Sequence, residues 1–258
     1  GVWAAAPAAA NPEAATPTAL SPVVVTATRT PVPSDQLVAQ VVVIERETIE
    51  QAQGQTLAAL LQQAAGVQIS SNGGLGKAST VFLRGTEGRH VLLLIDGVRY
   101  GSATLGAPNW DNLPLAAIER IEVLKGPAAA LYGSDAVGGV VQIFTRRGAG
   151  DMKVSGKVGA GADNTRMLGL AIGGALGDTR ARFGVARTRT DGFSSARSEF
   201  VPAAGTFAPA DIDDDAYRNT TLNLALSHQI RAGHDIGLTA FQSRGDIEFD
   251  GTSQNHSD

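Results

Sequence analysis

The sequence predicts an α+β domain, with a short mixed sheet and small helices, followed by a series of antiparallel strands. Residues from about 33 to 148 alternate short strands with short helices, whereas from Asp151 onward large and small residues alternate with period two. The run Val91–Ile95, VLLLI, contains no polar residue, so this strand is expected to be buried on both faces. A domain of about 115 residues is large enough to hold such a core.

The composition limits the classes of function. Of the 258 residues 43% are hydrophobic and 18% are charged, and the net charge of −4 does not favour a nucleic-acid partner. Cysteine is absent, which fits an oxidising compartment but is weak support by itself. No segment approaches the roughly 18 apolar residues of a transmembrane helix, whereas a membrane-crossing β-strand needs only about 9–11 residues of alternating character.

The N-terminal region is predicted to be a leader without a fold of its own. Residues 1–20 are rich in Ala and Pro and lack periodicity, and Ala8–Ala10 fits either a signal-peptide remnant or a plain disordered tail. Residues 21–32 contain SPVVVTATR, an extended β-branched segment with backbone groups suited to strand addition. Its alternative is an ordinary edge strand that folds onto the domain. With Gly at position 1 and no distinct end at Asp258, we expect a fragment.

Two short helices are predicted near the start of the α+β domain. Thr48 and Gln51 resemble a capping box, which places a helix start at Thr48. In Thr56–Gln63 the spacing of three leucines puts them on one helical face, and Gly66 is expected to end that helix.

About five antiparallel strands are predicted over residues 151–258. In Thr165–Leu176 the large apolar residues share one face while Gly and Ala share the other, and two later stretches repeat this alternation. The connection Gly177–Thr179 is tight, whereas Asp191–Asp215 is long and polar. Such alternation is typical of a membrane β-barrel and also of a soluble β-sandwich. Because sandwiches are commoner, the pattern by itself favours the sandwich.

Two segments point to a known family. Ile118–Arg147, IERIEVLKGPAAALYGSDAVGGVVQIFTRR, predicts a strand, a Gly126–Pro127 turn, a glycine-rich corner and a second strand. Together with Val81–Tyr100, VFLRGTEGRHVLLLIDGVRY, it resembles the plug domain of TonB-dependent outer-membrane receptors. The resemblance implies a plug at residues 33–148. It also implies that the strands after Asp151 are transmembrane strands of an incomplete barrel of about 22 strands, located in the outer membrane.

The resemblance implies a partner for the leader. The segment SPVVVTATR is similar to the Ton box, which such receptors present to the periplasmic protein TonB. Binding would occur by strand addition, and TonB would use the inner-membrane proton gradient to rearrange the plug. The implied contact residues are Val23, Val24, Val25, Thr26 and Ala27.

Within the family, the greatest similarity is to receptors of the vitamin B12 type. Asn72–Gly74, His90–Arg99 and Leu131–Val141 all resemble that subgroup. The resemblance implies that two apical plug loops contact a corrinoid. The implied contact residues are Ala78, Thr80, Leu105 and Gly106. A siderophore receptor has the same loops in the same places, so a ferric siderophore is the alternative ligand. The alternative of another class is a soluble periplasmic binding or signalling module.

An acidic cluster in the long connection suggests a calcium site. Carboxylates at alternate loop positions can converge on Ca²⁺, although an acidic loop is more often simply solvated. The resemblance implies a structural calcium ion in the extracellular loops. The implied ligands are Asp211, Asp213, Asp215 and Asp250. Ser194 and Phe249 stand where the family has aspartate and tyrosine, so weaker calcium binding is expected.

The sequence does not suggest an enzyme. The four histidines show no metal-ligand spacing, and no G-x-S-x-G segment is present. Transport by TonB requires no bond chemistry in the receptor.

Overall fold

The computed structural model describes residues 23–24, 26, 32–33, 40–52, 54–71, 73–102, 106–193 and 214–248. The strands are β1 (Val23–Val24), β2 (Val32–Pro33), β3 (Gln40–Ile44), β4 (Gln68–Ser71), β5 (Ser79–Phe82), β6 (Val91–Ile95), β7 (Val98–Arg99), β8 (Ile118–Lys125), β9 (Gly139–Thr145), β10 (Lys153–Ala160), β11 (Arg166–Leu176), β12 (Thr179–Thr190), β13 (Tyr217–Arg231) and β14 (His234–Ile247). The α-helices are α1 (Arg46–Gln51), α2 (Leu57–Ala65) and α3 (Ala129–Tyr132).

The first domain is built on a mixed sheet with the strand order β3-β8-β9-β6-β7. Strand β6 runs parallel to β9, and the other neighbouring strands are antiparallel. All residues of β6 are buried, which confirms the prediction from the run VLLLI. At the β6–β7 turn the Asp96 carboxylate accepts a hydrogen bond from the Thr145 N–H at 3.0 Å and thereby joins the turn to β9.

The apolar side chains of β6 divide the core into two parts. Leu93 packs on the face that contacts α1 and α2, together with Ile49 and Leu60. Leu92 and Leu94 pack on the opposite face, in a smaller cluster with Ala128 and Ala136, which flank α3. This division follows from the alternation of side chains along a strand.

The helices agree with the sequence prediction for α2 and disagree for α1. The Thr56 hydroxyl caps α2 by accepting from the Ala59 N–H at 3.1 Å, and Gly66 ends the helix with φ of 59°. Helix α1 begins at Arg46, and its N-cap residue Glu45 makes no side-chain capping bond. The predicted capping box at Thr48 is therefore wrong, because the N-cap residue is Glu45 and Thr48 lies within the first turn of the helix.

The second sheet has the order β10-β11-β12-β13-β14, with every neighbouring pair antiparallel. Its large apolar side chains share the face turned away from the first domain and are exposed. The exposed fraction is 80% for Val158, 51% for Leu168, 40% for Leu224 and 58% for Leu238. No second sheet covers this face within the described residues, so the arrangement differs from a sandwich and fits strands that face lipid. None of the helices formed by the described residues has the length and apolarity required to cross a membrane.

Candidate functional site

The leader is attached to the first domain through Thr26. The Thr26 N–H and hydroxyl both donate to Glu122 Oε2, at 2.8 and 2.7 Å. The Tyr132 hydroxyl donates to the Thr26 carbonyl at 2.9 Å. Thr26 has 0% exposure, so this residue is fully buried against the sheet.

The acceptor of these bonds is a carboxylate in the interior of β8. Glu122 is paired in register with Val43 of β3 and Gln142 of β9, and its side chain has 0% exposure. Arg120 Nη2 lies 2.8 Å from Glu122 Oε1, and the Arg120 guanidinium lies 4.6 Å from the centre of the Phe144 ring. A buried charge is stable only when it is paired and hydrogen-bonded. Arg120 supplies the opposite charge, and Thr26 supplies two hydrogen bonds to Oε2.

The predicted TonB-contact segment is therefore docked in this structure. Val24 is fully buried, and β1 pairs with β2 so that Val24 lies opposite Val32. The expectation of unpaired backbone groups is wrong for the described part of this stretch, because Val23 and Val24 pair with β2 and the Thr26 N–H and carbonyl bind Glu122 and Tyr132. Val25 and Ala27 lie outside the described residues.

The predicted ligand contacts lie in two loops and at the start of β5, at exposed positions. Ala78, Thr80 and Gly106 are all exposed, whereas Leu105 lies outside the described residues. Thr80 and Trp110 line the same cleft of about 290 Å³, which opens between the two loops. The geometry thus brings together the two loops that the sequence predicts, on one end of the first domain.

These loops also contact the second sheet. The Tyr217 hydroxyl donates to Asn112 Oδ1 at 2.9 Å, and Asn219 Nδ2 lies 3.3 Å from the same oxygen. The Ser79 N–H donates to Asp111 Oδ2 at 3.4 Å, which joins one loop to the other. The two loops are therefore held both to each other and to β13.

Burial affects the Asp111 carboxyl at this contact. Its pKa is raised to about 6, because desolvation outweighs the opposing effect of the hydrogen bonds from Ser79. The folded protein therefore binds this proton more tightly than the unfolded chain does. The stability that results is present below pH about 4 and is lost as the pH rises through about 6.

Only one of the predicted calcium ligands lies within the described residues. Asp215 is buried, and its Oδ1 accepts from Lys77 Nζ at 2.7 Å. Asp211, Asp213 and Asp250 lie outside the described residues. Among the residues that the structure describes, no three His, Cys, Asp or Glu side chains are grouped to hold a metal ion.

Comparison with known families decides the identity of the first domain. The family profile described as TonB-dependent Receptor Plug Domain matches residues 33–140. Residues 33–140 are a TonB-dependent receptor plug domain. The plug and the strands that follow it place the chain in the outer membrane, with the exposed apolar face of the second sheet towards lipid.

The match to known proteins extends from the plug into the second sheet. The chain is 36% identical over 228 residues to the vitamin B12 transporter BtuB of Photobacterium profundum, a match that covers 88% of this chain and 36% of the relative. It is 40% identical over 156 residues to BtuB of Vibrio cholerae, covering 60% of this chain and 26% of the relative. The chain thus spans about a third of the length of the first of these curated relatives.

Solved structures show the same fold. The pyoverdine outer membrane receptor FpvA of Pseudomonas aeruginosa superimposes with a TM-score of 0.71 at 17% identity, covering 88% of this chain and 31% of that one. The siderophore receptor PirA of Acinetobacter baumannii superimposes with a TM-score of 0.65 at 24% identity. The match covers 83% of this chain and 32% of PirA. These likenesses concern the fold of the plug and the adjoining strands.

Sequence analysis missed two of the residues that hold the plug contacts together. Glu122 is a carboxylate within the strand IERIEVLK, and its position between buried neighbours was a signal that it needs a partner. Lys77, in the segment GGLGK, gave no local signal because its partner Asp215 lies 138 positions away.

We predict that Thr26→Val weakens docking of the leader. Valine keeps the shape and the N–H but removes the hydroxyl that donates to Glu122, a bond to a charged acceptor that contributes about 1.5 kcal/mol or more. Trypsin cleavage after Arg29, followed by mass spectrometry, should become about tenfold faster.

Thr145→Val is the matched control for this prediction, because it removes a hydroxyl on the same sheet that donates to Asp96 instead. Equal cleavage rates in the two variants would contradict the assignment of Thr26.

We predict that Asp111→Asn stabilises the plug at pH 7.5 by about 1 kcal/mol, a value discounted for the partial exposure of this carboxyl. The gain should shrink as the pH falls towards 4.5, because the wild-type carboxyl is then protonated. Urea unfolding followed by the fluorescence of the buried Trp110 measures the effect. Asp178→Asn, at an exposed turn, serves as the control. A gain independent of pH would refute the electrostatic explanation.

Proposed function

We propose that this chain supplies the plug and the first barrel strands of a receptor that takes up a corrinoid through the outer membrane. TonB would bind the leader segment and supply the energy. The observation on which this proposal rests is the 36% identity to the vitamin B12 transporter BtuB over 88% of the chain. That span includes the plug as well as several of the strands, so the similarity concerns the ligand loops and the wall against which they pack.

The structure supports the division of roles within this proposal. Val24 and Thr26 are buried, and Thr26 binds Glu122 of β8, whereas Ala78, Thr80 and Gly106 are exposed in the two loops and at the start of β5. Ligand binding and TonB binding would therefore occur at separate places, joined by the sheet of the plug. Release of Thr26 from Glu122 would free the backbone of the leader for strand addition to TonB.

A ferric siderophore is the second candidate ligand. The structures of PirA and FpvA, described as siderophore and pyoverdine receptors, share the fold of the plug and the first strands. Their identities of 24% and 17% are lower than the identity to BtuB, so the corrinoid is the better supported ligand.

We propose that calcium orders the extracellular loops above the ligand. Asp211, Asp213 and Asp250 would supply oxygen ligands, in keeping with the preference of this ion for carboxylates. Asp215 fits the ion less well than the other three do, because its Oδ1 already binds the Lys77 ammonium. It would be the weakest of the four ligands.

The test is calorimetric titration of cyanocobalamin into the full-length receptor in detergent, with calcium and with chelator. We expect tight binding that weakens when calcium is removed, and Asp213→Ala should abolish the difference between the two conditions. Binding that is tight but indifferent to calcium would refute the metal site alone. Absence of binding in both conditions would refute the corrinoid and favour a siderophore.

A further inference from the structure

An ion pair links the ligand loop to the barrel wall. Lys77 Nζ donates to Asp215 Oδ1 at 2.7 Å, and the two side chains are 4% and 3% exposed. The same ammonium donates to the Glu248 carbonyl. Lys77 belongs to the plug, whereas Asp215 precedes β13 and Glu248 follows β14. One plug side chain therefore binds the wall at the ends of two strands.

The backbone around Lys77 fits the wall too closely to admit other side chains. A Cβ at Gly73 would lie 2.9 Å from Lys77 Cγ, and one at Gly74 would lie 3.1 Å from the Phe193 ring. A Cβ at Gly76 would overlap the ring of Tyr217. Gly74 and Gly76 thus allow the loop to lie directly on the wall, and Gly73 leaves room for the Lys77 side chain.

The buried charges have a positional effect that an apolar contact lacks. A buried ion pair adds little to stability, because desolvation offsets most of the attraction. Losing one partner is costly, however, because the remaining charge stays buried without compensation. The pair therefore holds the loop at one defined position, and displacement is penalised steeply.

We propose that Lys77 and Asp215 are positioning residues, which fix the position of the ligand-facing loop relative to the barrel wall. Ala78 and Thr80 follow Lys77 directly, and the Ser79 hydroxyl donates to the Lys77 carbonyl at 3.2 Å. The pair therefore determines where these two exposed residues stand. This inference rests on the proposed function, because it assigns Ala78 and Thr80 to the ligand surface.

A double-mutant cycle tests the proposal in the full-length receptor. Lys77→Met and Asp215→Asn should each speed the dissociation of cyanocobalamin about tenfold or more, since each breaks the ion pair while the other charge stays buried. The double variant should recover most of the loss, because both charges are then gone. Lys153→Met and Asp246→Asn, at exposed positions of the second sheet, are the matched controls and should change nothing.

Two further readouts separate positioning from general stability. Hydrogen exchange of the amides of residues 73–80 should speed up in each single variant and slow again in the double variant, while β6 stays protected in all of them. The effect of Asp215→Asn should also persist in chelator, where no calcium is bound, since Asp215 acts through Lys77.

Single-variant effects that multiply in the double variant, or no effect at all, would overturn the proposal. If cyanocobalamin fails to bind the wild-type receptor, the corrinoid assignment is refuted, and the exchange pattern still decides whether the pair positions the loop.

Discussion

The buried carboxylate of Glu122 is the interaction on which the arrangement of the plug depends. It lies within β8, between strands β3 and β9, where an unpaired charge would be costly. Arg120 approaches one of its oxygens, and the other accepts two hydrogen bonds from Thr26. Because the leader supplies part of this compensation, its position is linked to the interior of the sheet. A segment held in this way can be released without unfolding the apolar core around β6.

A second buried charge pair acts at the loop end of the same domain. Lys77 and Asp215 join the plug to the wall, while Thr26 and Glu122 join the leader to the plug. Both contacts use a charged group shielded from water, and both link segments that are far apart in the chain. Strands β6 and β9 between them are almost wholly buried, so they connect the two ends as a stiff element.

Local periodicity predicted the elements well and the long-range contacts poorly. The run VLLLI, the face of α2 and the alternation of β11 follow from nearest-neighbour patterns that the structure confirms. The exposure of the apolar face of β11 could not be derived that way, because it depends on what surrounds the sheet. The partners of Glu122 and Lys77 were missed, since side chains 96 and 138 positions away leave no periodic signal. The start of α1 was missed because its N-cap residue Glu45 makes no side-chain capping bond.

The central claim is that the leader docked on Glu122 is the segment through which energy reaches the plug. Its most direct test compares binding with uptake of radiolabelled cyanocobalamin in Gram-negative cells whose own receptor is deleted and which express the full-length receptor. In Val24→Pro the backbone N–H needed for strand addition is lost. The account predicts surface binding at the wild-type level together with loss of uptake. Uptake at the wild-type rate would contradict it.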